Sequence, residues 1–283
     1  MSVEVVRRTS SDEPQLRRAY PALCVQAPDR EPAGSSGCPC SVQIPVEHVL
    51  EVRADGRPFM RITCTPVHLI ELVVGRLFSE GMISSVDDVA SVTVSDDLST
   101  ADVVFSSADL PKRSLRGDID VVPTYGTTGR PVLADERGSG LAAARDRADA
   151  AWDVEGVFSL ARVFAEDTPI HTATNGAHSC YLAVAGELKY CCEDLGRHNA
   201  LDKVIGSALL AGDALSRALV FSSGRIPADM IGKVIRAGVP VLVTKAVPTD
   251  LAVRMARDAG LTLICSARPD SIKVFNDPAG FTA

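Results

Sequence analysis

The densest group of reactive side chains lies at Glu193–Lys203, which reads Glu-Asp-Leu-Gly-Arg-His-Asn-Ala-Leu-Asp-Lys. Apolar residues follow at helical spacing up to Gly212, and Asn199 can cap the first turn, so this segment is predicted to lead into a helix. The first turn of a helix presents unpaired N–H groups and partial positive charge. Arg197 and His198 could therefore bind a phosphate or another anion together with those amides. An equally simple interpretation is a capped helix whose two acidic residues are solvated or form an ion pair with the arginine.

The second half of the chain alternates apolar strand patterns with helix patterns. Strands are predicted at residues 180–184, 188–192, 218–221, 239–243 and 261–265, and helices at residues 154–165, 227–237 and 249–259. Such alternation implies right-handed β-α-β crossovers and a largely parallel sheet covered by helices. We therefore predict an α/β fold for this half.

Ligands of open α/β sheets bind at the carboxyl ends of the strands, where the connecting loops meet. The loops expected at that edge span residues 174–178, 193–199, 222–225, 245–249 and 266–271, and all carry polar or charged residues. Ser222-Ser223-Gly224-Arg225 lies between a buried strand and a proline-started helix, where it could cradle a phosphate. The alternative is a turn that needs glycine for its backbone conformation. His178 and His198 could serve as acid or base, or hydrogen-bond a phosphate or ribose.

The first half of the chain is predicted to form a smaller unit of mixed α+β type. Residues 1–40 mix charges with Pro, Gly and Ser and show no period, so they are predicted to be a mobile tail. Alternating residues around Asp55-Gly56 predict a hairpin, and Thr65-Pro66 is predicted to cap and start a helix. Two further strands are expected at residues 89–94 and 101–105. The resulting divisions are a small domain at residues 41–110, a loop or linker at residues 111–150 and a second domain at residues 151–283.

The chain carries 29 basic and 36 acidic side chains, a net charge of −7. This balance disfavours non-specific nucleic-acid binding, so an anionic ligand would need a local concentration of basic residues. No apolar run approaches the roughly 18 residues of a membrane span, and the first residues do not resemble a signal peptide. We expect a cytoplasmic protein with neither nucleic acid nor membrane among its partners.

Eight cysteines are present, and no two are spaced as Cys-x-x-Cys. Zinc ribbons and thioredoxin-type motifs are therefore disfavoured, and reduced thiols are expected. The closest approach to a dithiol is Cys38-Pro39-Cys40, which could equally be two incidental thiols in the lead-in.

Several stretches together resemble the formate dehydrogenase accessory proteins, the FdhD/NarQ family of sulfur carriers. The matching stretches are Gly176-x-His178, Glu193 to Lys203, Ser223-Gly224-Arg225, Pro248-Thr249-x-Leu251-Ala252-Val253 and, upstream, Thr65-Pro66 with Gly75 to Gly81. The resemblance extends from about Ser41 to about Asn276. Its longest motif is far more specific than a lone glycine-rich loop.

The resemblance implies a role in molybdenum cofactor maturation. Members of the family receive sulfur from a cysteine desulfurase as a persulfide, bind the bis-molybdopterin guanine dinucleotide cofactor, and sulfurate its metal before it enters formate dehydrogenase. The implied partners are a cysteine desulfurase and the apoprotein of formate dehydrogenase or a related molybdoenzyme. The resemblance also implies a homodimer whose second domain is similar to the three-layer cytidine deaminase fold, with a largely parallel mixed sheet and without that fold's catalytic zinc.

A cofactor with two pyrophosphates is strongly anionic, which suits basic residues on the strand-end loops. By this resemblance the loop after the last core strand contacts the cofactor, and here that loop consists of Ser266, Ala267, Arg268, Pro269, Asp270 and Ser271. The other candidate cofactor-binding residues are Asn175, Gly176, His178, Asp194, Gly196, Arg197, His198, Asn199, Ser223, Gly224, Arg225 and Lys245.

The chain departs from the family at the sulfur-carrying loop, whose pattern is Cys-Gly-x-Cys-Gly. Its counterpart here is Tyr125-Gly126-Thr127-Thr128-Gly129, in which both glycines remain while Tyr125 and Thr128 replace the cysteines. Neither a phenol nor a secondary hydroxyl can carry a persulfide, because that chemistry needs a thiolate. The sequence therefore leaves open whether the chain is an enzyme.

Three hypotheses follow. In the first, the chain binds the molybdopterin cofactor but has lost sulfur transfer or relies on its partner for it. In the second, it is a sulfurtransferase whose thiol has moved to Cys180, Cys191 or Cys192, or to Cys38 and Cys40. The third is a zinc-dependent hydrolase of deaminase type with His178, Cys180 and one of Cys191 or Cys192 as ligands, although the His-x-Glu and Pro-Cys-x-x-Cys signatures of that class are absent. We expect no zinc.

Overall fold

In the computed structural model, the described residues are 4–7, 14–25, 37–107, 120–122, 153–166 and 168–278. Tyr125 and Thr128 lie outside these ranges, as does most of the predicted linker. The strands are β1 (Glu4–Arg7), β2 (Arg17–Cys24), β3 (Cys38–Pro45), β4 (His48–Ala54), β5 (Arg57–Cys64), β6 (Val89–Val94), β7 (Thr100–Phe105), β8 (Asp120–Val122), β9 (His178–Val184), β10 (Glu187–Asp194), β11 (Ala218–Ser222), β12 (Val241–Thr244), β13 (Thr262–Cys265) and β14 (Lys273–Asn276). The helices are α1 (Leu69–Ser79), α2 (Val154–Glu166), α3 (Pro169–Thr174), α4 (Arg197–Ala211), α5 (Ala228–Arg236) and α6 (Asp250–Asp258).

The first sheet has the strand order β1-β6-β7-β4-β5-β8. Asp55 and Gly56 connect β4 to β5 with φ values of +48° and +77°, the left-handed backbone that a tight hairpin turn needs. The predicted hairpin is therefore confirmed. Buried residues of β4 to β7 face α1 and form one hydrophobic core with it.

The second sheet has the strand order β10-β9-β11-β12-β13-β14. The strands β11, β12 and β13 are parallel neighbours, and α5 and α6 connect them. The tight turn at Ala185–Gly186 makes β9 and β10 antiparallel, and β9 is also antiparallel to β11. The α/β class is confirmed. In this sheet, parallel pairing is confined to β11–β12 and β12–β13, where a crossover helix joins adjacent strands. The helix α4 also joins two strands of the same direction, but β9 lies between β10 and β11 and is antiparallel to both.

Successive residues of the central strands face opposite sides of this sheet. On one side, residues such as Leu182, Val220 and Leu242 pack with α4, α5 and α6. On the other side, Tyr181 and Phe221 pack with α2. Helices therefore cover both faces, which explains the continuous apolar runs of these strands. The likeness to the cytidine deaminase fold and the domain boundaries remain predictions.

The helices α1 and α4 connect the two sheets. They cross at Gly75 and Gly206, where the two backbones are in contact. Beside this crossing, Phe78 and Leu209 pack against the hydrophobic cores of both sheets. Small residues at a crossing permit such a close approach, so this contact fixes α4 relative to the first sheet.

A separate two-stranded antiparallel ladder consists of β2 and β3. Every residue of β2 is exposed, so no burial pattern marks this strand in the sequence. The strand β2 lies within the predicted tail over residues 1–40, and backbone pairing with β3, not core burial, holds it. The mobility of that tail remains a prediction. The ladder approaches the second sheet at Pro45, which packs against Gly176.

The predicted caps of two helices are wrong. The helix α1 begins at Leu69, after His68 with φ +54°, and Thr65 lies four residues before it. The N-cap position of α4 is Gly196, and Asn199 lies within its first turn. Both polar side chains bind other groups of the protein instead. Among the described residues, no helix is long and apolar enough to cross a membrane.

Candidate functional site

One edge of the second sheet gathers the carboxyl ends of β10, β11, β12 and β13 with the amino end of β9. The five loops that the alternation pattern predicted for this edge lie there. The helix α4 begins at the same edge, directly after β10.

Ser223 joins the loop after β11 to the start of β9. Its N–H donates to the carbonyl oxygen of Ser179 at 2.9 Å, and its Oγ accepts from the Ser179 N–H at 3.0 Å. The same Oγ lies 3.3 Å from His178 Nδ1. Burial and repulsion from Arg197 lower the pKa of His178, so the imidazole is neutral at pH 7 and its ring nitrogens offer one donor and one acceptor.

The side chain of Arg197 packs against the backbone of Gly224. A Cβ at Gly224 would lie 2.9 Å from Arg197 Cβ and 3.0 Å from Arg197 Cδ, so only glycine leaves room for this side chain. Burial lowers the pKa of Arg197; the charge of Asp229 opposes this effect and that of Arg225 adds to it. Arg197 and Arg225 are thus close enough to repel each other, an arrangement that favours an anion between them.

Lys245 and Arg268 form a second pair of cations on the next two loops. Arg268 Nη1 donates to the carbonyl oxygens of Lys245 and Ala267 at 2.6 and 2.9 Å. Lys245 Nζ lies 5.4 Å from the ring centre of Phe164, a cation–π contact that the sequence did not reveal. Burial, followed by repulsion from Arg268, lowers the pKa of Lys245.

Arg197, Arg225, Lys245 and Arg268 share a further property. In the described part of the chain, no carboxylate oxygen lies within ion-pair distance of any of them. Like charges without a carboxylate partner among the described residues, in a protein of net charge −7, make this edge a candidate site for an anionic ligand.

His198 lies behind this cluster and is 1 % exposed. Burial and the charges of Lys233, Arg197, Arg76 and His178 lower its pKa to about 2. Asp229 Oδ2 lies 3.4 Å from His198 Nε2 and favours the imidazolium, but the two atoms form no hydrogen bond. Burial and the surrounding cations prevail, so His198 is neutral.

Asp194 is fully buried and is bound by other groups of the protein. Its Oδ1 accepts from the Gly196 N–H at 3.0 Å and from Asn199 Nδ2 at 2.9 Å. Its Oδ2 accepts from the Thr65 N–H at 3.0 Å and lies 2.6 Å from Lys203 Nζ. Asp194 therefore ties the segment before α1 to the start of α4.

Glu193 holds the short helix α3, which the sequence did not predict. Its two carboxylate oxygens each accept from one backbone N–H, that of Ile170 and that of His171, both at 2.8 Å. A carboxylate at a helix start satisfies its unpaired donors. This contact places α3 beside the first residues of β9.

Asp202 of α4 lies in a second buried group of charges. It accepts from Arg76 Nη1 at 3.1 Å and from the hydroxyl of Ser79 at 2.6 Å, and Lys233 Nζ lies 2.7 Å from its Oδ2. Lys233 Nζ also lies 3.2 Å from Glu80 Oε1. These ions join α1, α4 and α5 directly beneath the site.

The other candidate residues line the rim of the cluster. Ala267 is buried and Ser266 half-buried with φ +51°. The Arg268 N–H donates to the Ser271 carbonyl oxygen at 2.8 Å, which closes this loop into a turn. The exposed residues of the rim are Asn175, Gly176, Arg225, Arg268, Pro269, Asp270 and Ser271.

The thiols proposed near the site differ in exposure. Cys180 and Cys192 face each other across β9 and β10 and are buried, which raises the pKa of Cys192 to about 12 and also raises that of Cys180. Cys191 is exposed on the opposite face of β10. No group of three His, Cys, Asp or Glu side chains in the described ranges could hold a metal ion. The arrangement of His178, Cys180 and Cys192 thus offers no support for a zinc site.

Comparison with known proteins connects this site to a family. The sequence profile of the FdhD/NarQ family matches residues 45–281. The sulfur carrier protein FdhD of Sulfurisphaera tokodaii is 36 % identical over 234 residues, which cover 81 % of this chain and 88 % of that protein. The sulfur carrier protein FdhD of Methanothermobacter thermautotrophicus is 31 % identical over 229 residues, with coverages of 81 % and 87 %.

Among solved structures, a formate dehydrogenase accessory protein from Desulfotalea psychrophila matches with a TM-score of 0.71. The match covers 93 % of this chain and 98 % of that one at 24 % identity, so it supports the fold. The profile match covers the α1–α4 crossing and all five strand-end loops, and this chain therefore belongs to the FdhD/NarQ family.

Proposed function

We propose that this protein acts in molybdenum cofactor maturation, by binding bis-molybdopterin guanine dinucleotide at the strand-end loops of the second sheet and assisting its sulfuration. Family membership and relatives named as sulfur carriers support the sulfuration role. The cofactor is cargo in this proposal and leaves with the molybdoenzyme.

The observation that carries the proposal is the set of four cations without carboxylate partners among the described residues. Arg197 and Arg225 form one pair, after β10 and β11, and Lys245 and Arg268 form the other, after β12 and β13. The cofactor is strongly anionic because it carries two pyrophosphate groups. A guanidinium group can bind two phosphate oxygens at once. Two cation pairs suit a ligand with two diphosphate groups.

The neutral groups of the site complement these charges. His178 and Ser223 are in contact, and both can hydrogen-bond a ribose hydroxyl or a guanine edge without adding charge. His198 is buried and neutral, so it adds no charge to the site. Asp194 and Asn199 serve in this proposal as positioning residues, because their polar groups are bound inside the protein.

The proposal includes the partners that the family implies. A cysteine desulfurase supplies the sulfur, the apoprotein of formate dehydrogenase or a related molybdoenzyme receives the cofactor, and the protein works as a cytoplasmic homodimer. The family's usual sulfur-carrying loop cannot supply the thiol, because Tyr125 and Thr128 stand at the places of its cysteines.

Calorimetric titration with GDP, which represents one half of the nucleotide portion, tests the cofactor site. We expect Arg197→Ala and Arg268→Ala each to weaken binding about tenfold or more, since a hydrogen bond to a charged group contributes about 1.5–3 kcal/mol. Arg217→Ala is the matched control, because this exposed arginine precedes β11 at the opposite edge of the sheet. Absence of binding to both GDP and the complete cofactor, or equal affinity of all variants, would overturn the proposal.

A further inference from the structure

The β2–β3 ladder places two exposed thiols directly opposite each other. The register of the ladder pairs Cys24 with Cys38 at its outer end, and both residues are exposed. Fourteen positions separate them in the sequence, so their spacing alone gives no sign of a pair. Only the strand register brings them together.

The geometry of this pair suits a disulfide. Facing residues of an antiparallel ladder have Cα atoms about 4.5–5.5 Å apart and side chains on the same face. A disulfide spans Cα separations of about 4.4–6.8 Å. Cys40 lies on the same face two residues further, but it faces Ala22 and has no facing thiol. Cys24 and Cys38 are therefore matched to each other.

The remaining thiols are less suited to sulfur chemistry. Cys64, Cys180, Cys192 and Cys265 are buried, and burial raises the pKa of each of them. A buried thiol can neither meet a protein donor nor form the thiolate that attacks a persulfide. Cys191 is exposed, and the residue that faces it across the ladder is Tyr181.

We propose that Cys24 and Cys38 form a dithiol site that accepts sulfane sulfur from a persulfide donor and releases it as hydrosulfide. This inference rests on the proposed function, because it gives the sulfuration step a thiol in a chain that lacks cysteines at Tyr125 and Thr128. The substrate class is a persulfide, whether on a cysteine desulfurase or on a low-molecular-weight thiol.

The chemistry balances in two steps. One thiolate attacks the outer sulfur of the donor persulfide; the donor's S–S bond breaks, the donor leaves as a thiolate, and the cysteine becomes a persulfide. The facing thiolate then attacks the inner sulfur of that persulfide, a disulfide forms between Cys24 and Cys38, and HS⁻ leaves with the electron pair of the broken S–S bond. The two cysteines are oxidised by two electrons in total and the sulfane sulfur is reduced to sulfide. A low-molecular-weight thiol reductant reopens the disulfide, which an exposed position favours.

The test treats the reduced full-length chain with glutathione persulfide, and measures released sulfide and the disulfide-linked peptides by mass spectrometry. We expect about one sulfide per chain, together with a linked Cys24–Cys38 peptide. In Cys24→Ser and Cys38→Ser, release should fall at least tenfold, and the remaining cysteine of the pair should retain an extra mass of about 32 Da. Cys40→Ser is the matched control, because the pair is intact in it, and it should release sulfide as the unmodified chain does.

Three results would overturn the dithiol site. These are undiminished sulfide release in Cys24→Ser, a disulfide that maps to other cysteines, or resistance of Cys24 and Cys38 to N-ethylmaleimide in the native chain. Alkylation of the unmodified chain needs no variant, so a folding defect cannot mask it. Titration of the same samples with GDP and with the complete cofactor separates the two proposals: binding without sulfide release overturns the dithiol site alone, whereas absence of binding to both ligands overturns the cofactor site.

Discussion

Gly75 lies so close to Asp202 that a Cβ at Gly75 would be 1.8 Å from the Asp202 carbonyl oxygen. The contact is reciprocal, because a Cβ at Gly206 would be 1.9 Å from the carbonyl oxygen of Glu71. Backbone atoms of a packed helix cannot move aside as the end of a flexible side chain can. Either alanine substitution must therefore push α1 and α4 apart.

We expect Gly75→Ala and Gly206→Ala to lower the free energy of unfolding by about 3 kcal/mol or more, at the upper end of the cost of overpacking. Urea denaturation followed by circular dichroism measures this change. Gly212→Ala is the control, because Gly212 has φ +73° and no atom within 4 Å of its added Cβ. Its expected cost is about 1–2 kcal/mol, from backbone strain alone. Equal losses in all three variants would contradict the role of the helix crossing.

Asp194→Asn should destabilise the protein strongly. The substitution keeps the shape of the side chain but leaves Lys203 as a buried cation that faces an amide. Removing one partner of a buried ion pair costs about 3–5 kcal/mol. Denaturation should show a loss of this size. Asp250→Asn breaks a pair with Arg254 that is largely exposed, so it should cost less than about 1 kcal/mol.

The Glu193–Lys203 segment shows how far the sequence predicted this site. Helical spacing after Asn199 and the turn before it correctly predicted a helix start in this segment, because these signals are local, although α4 begins at Arg197 and Asn199 is not its cap. The partners of the charged residues are not local: Asp194 binds Thr65, and Asp202 binds Arg76, more than a hundred residues away. The spacing of residues in one segment does not reveal such distant contacts, so the sequence could not show that these two carboxylates bind other groups of the protein and not a ligand.

The strand β2 of the β2–β3 ladder could not be predicted from the sequence. Sequence patterns detect strands through alternate burial, and β2 has no buried residue. The pairing of Cys24 with Cys38 depends on register, which no propensity indicates. Strands β11 to β13, in contrast, were predicted within about two residues, because apolar runs between glycine and proline signals are the pattern of a buried parallel sheet.

His198 should make the protein less stable in mild acid. Its pKa is near 6.5 in the unfolded chain and is lowered to about 2 in the folded protein. Between these values the unfolded state binds more protons, so the free energy of unfolding is highest above pH 6.5 and falls as the pH drops below it. The contribution lost between pH 7.5 and pH 5.5 is about 1.4 kcal/mol.

Denaturation at these two pH values, in the unmodified chain and in His198→Gln, measures this contribution. Glutamine is neutral at both values, so the pH dependence of the variant should be smaller by about 1.4 kcal/mol. His178 and the acidic groups titrate in both proteins and cancel in the comparison. An identical pH dependence of the two proteins would show that Asp229, 3.4 Å from His198 Nε2, holds the imidazolium in the folded state.

Gly224→Ala should weaken nucleotide binding without removing any charged group. The added Cβ would lie 2.9 Å from Arg197 Cβ, which is the stem of the side chain and not its mobile end, so the guanidinium must leave its position. Gly224 does not have a positive φ, and alanine therefore adds no backbone strain there. We expect GDP affinity to fall about tenfold, comparable to the loss of one charge-assisted hydrogen bond.

A double-mutant cycle decides whether this effect acts through Arg197. In the Arg197→Ala background the added methyl group has less side chain to displace, so Gly224→Ala should change GDP affinity little further. Additive losses in the double variant would mean that Gly224 acts on the nucleotide independently, through its backbone. Calorimetric titration of the four proteins at one salt concentration distinguishes these outcomes, because both single variants keep Arg225, Lys245 and Arg268 in place.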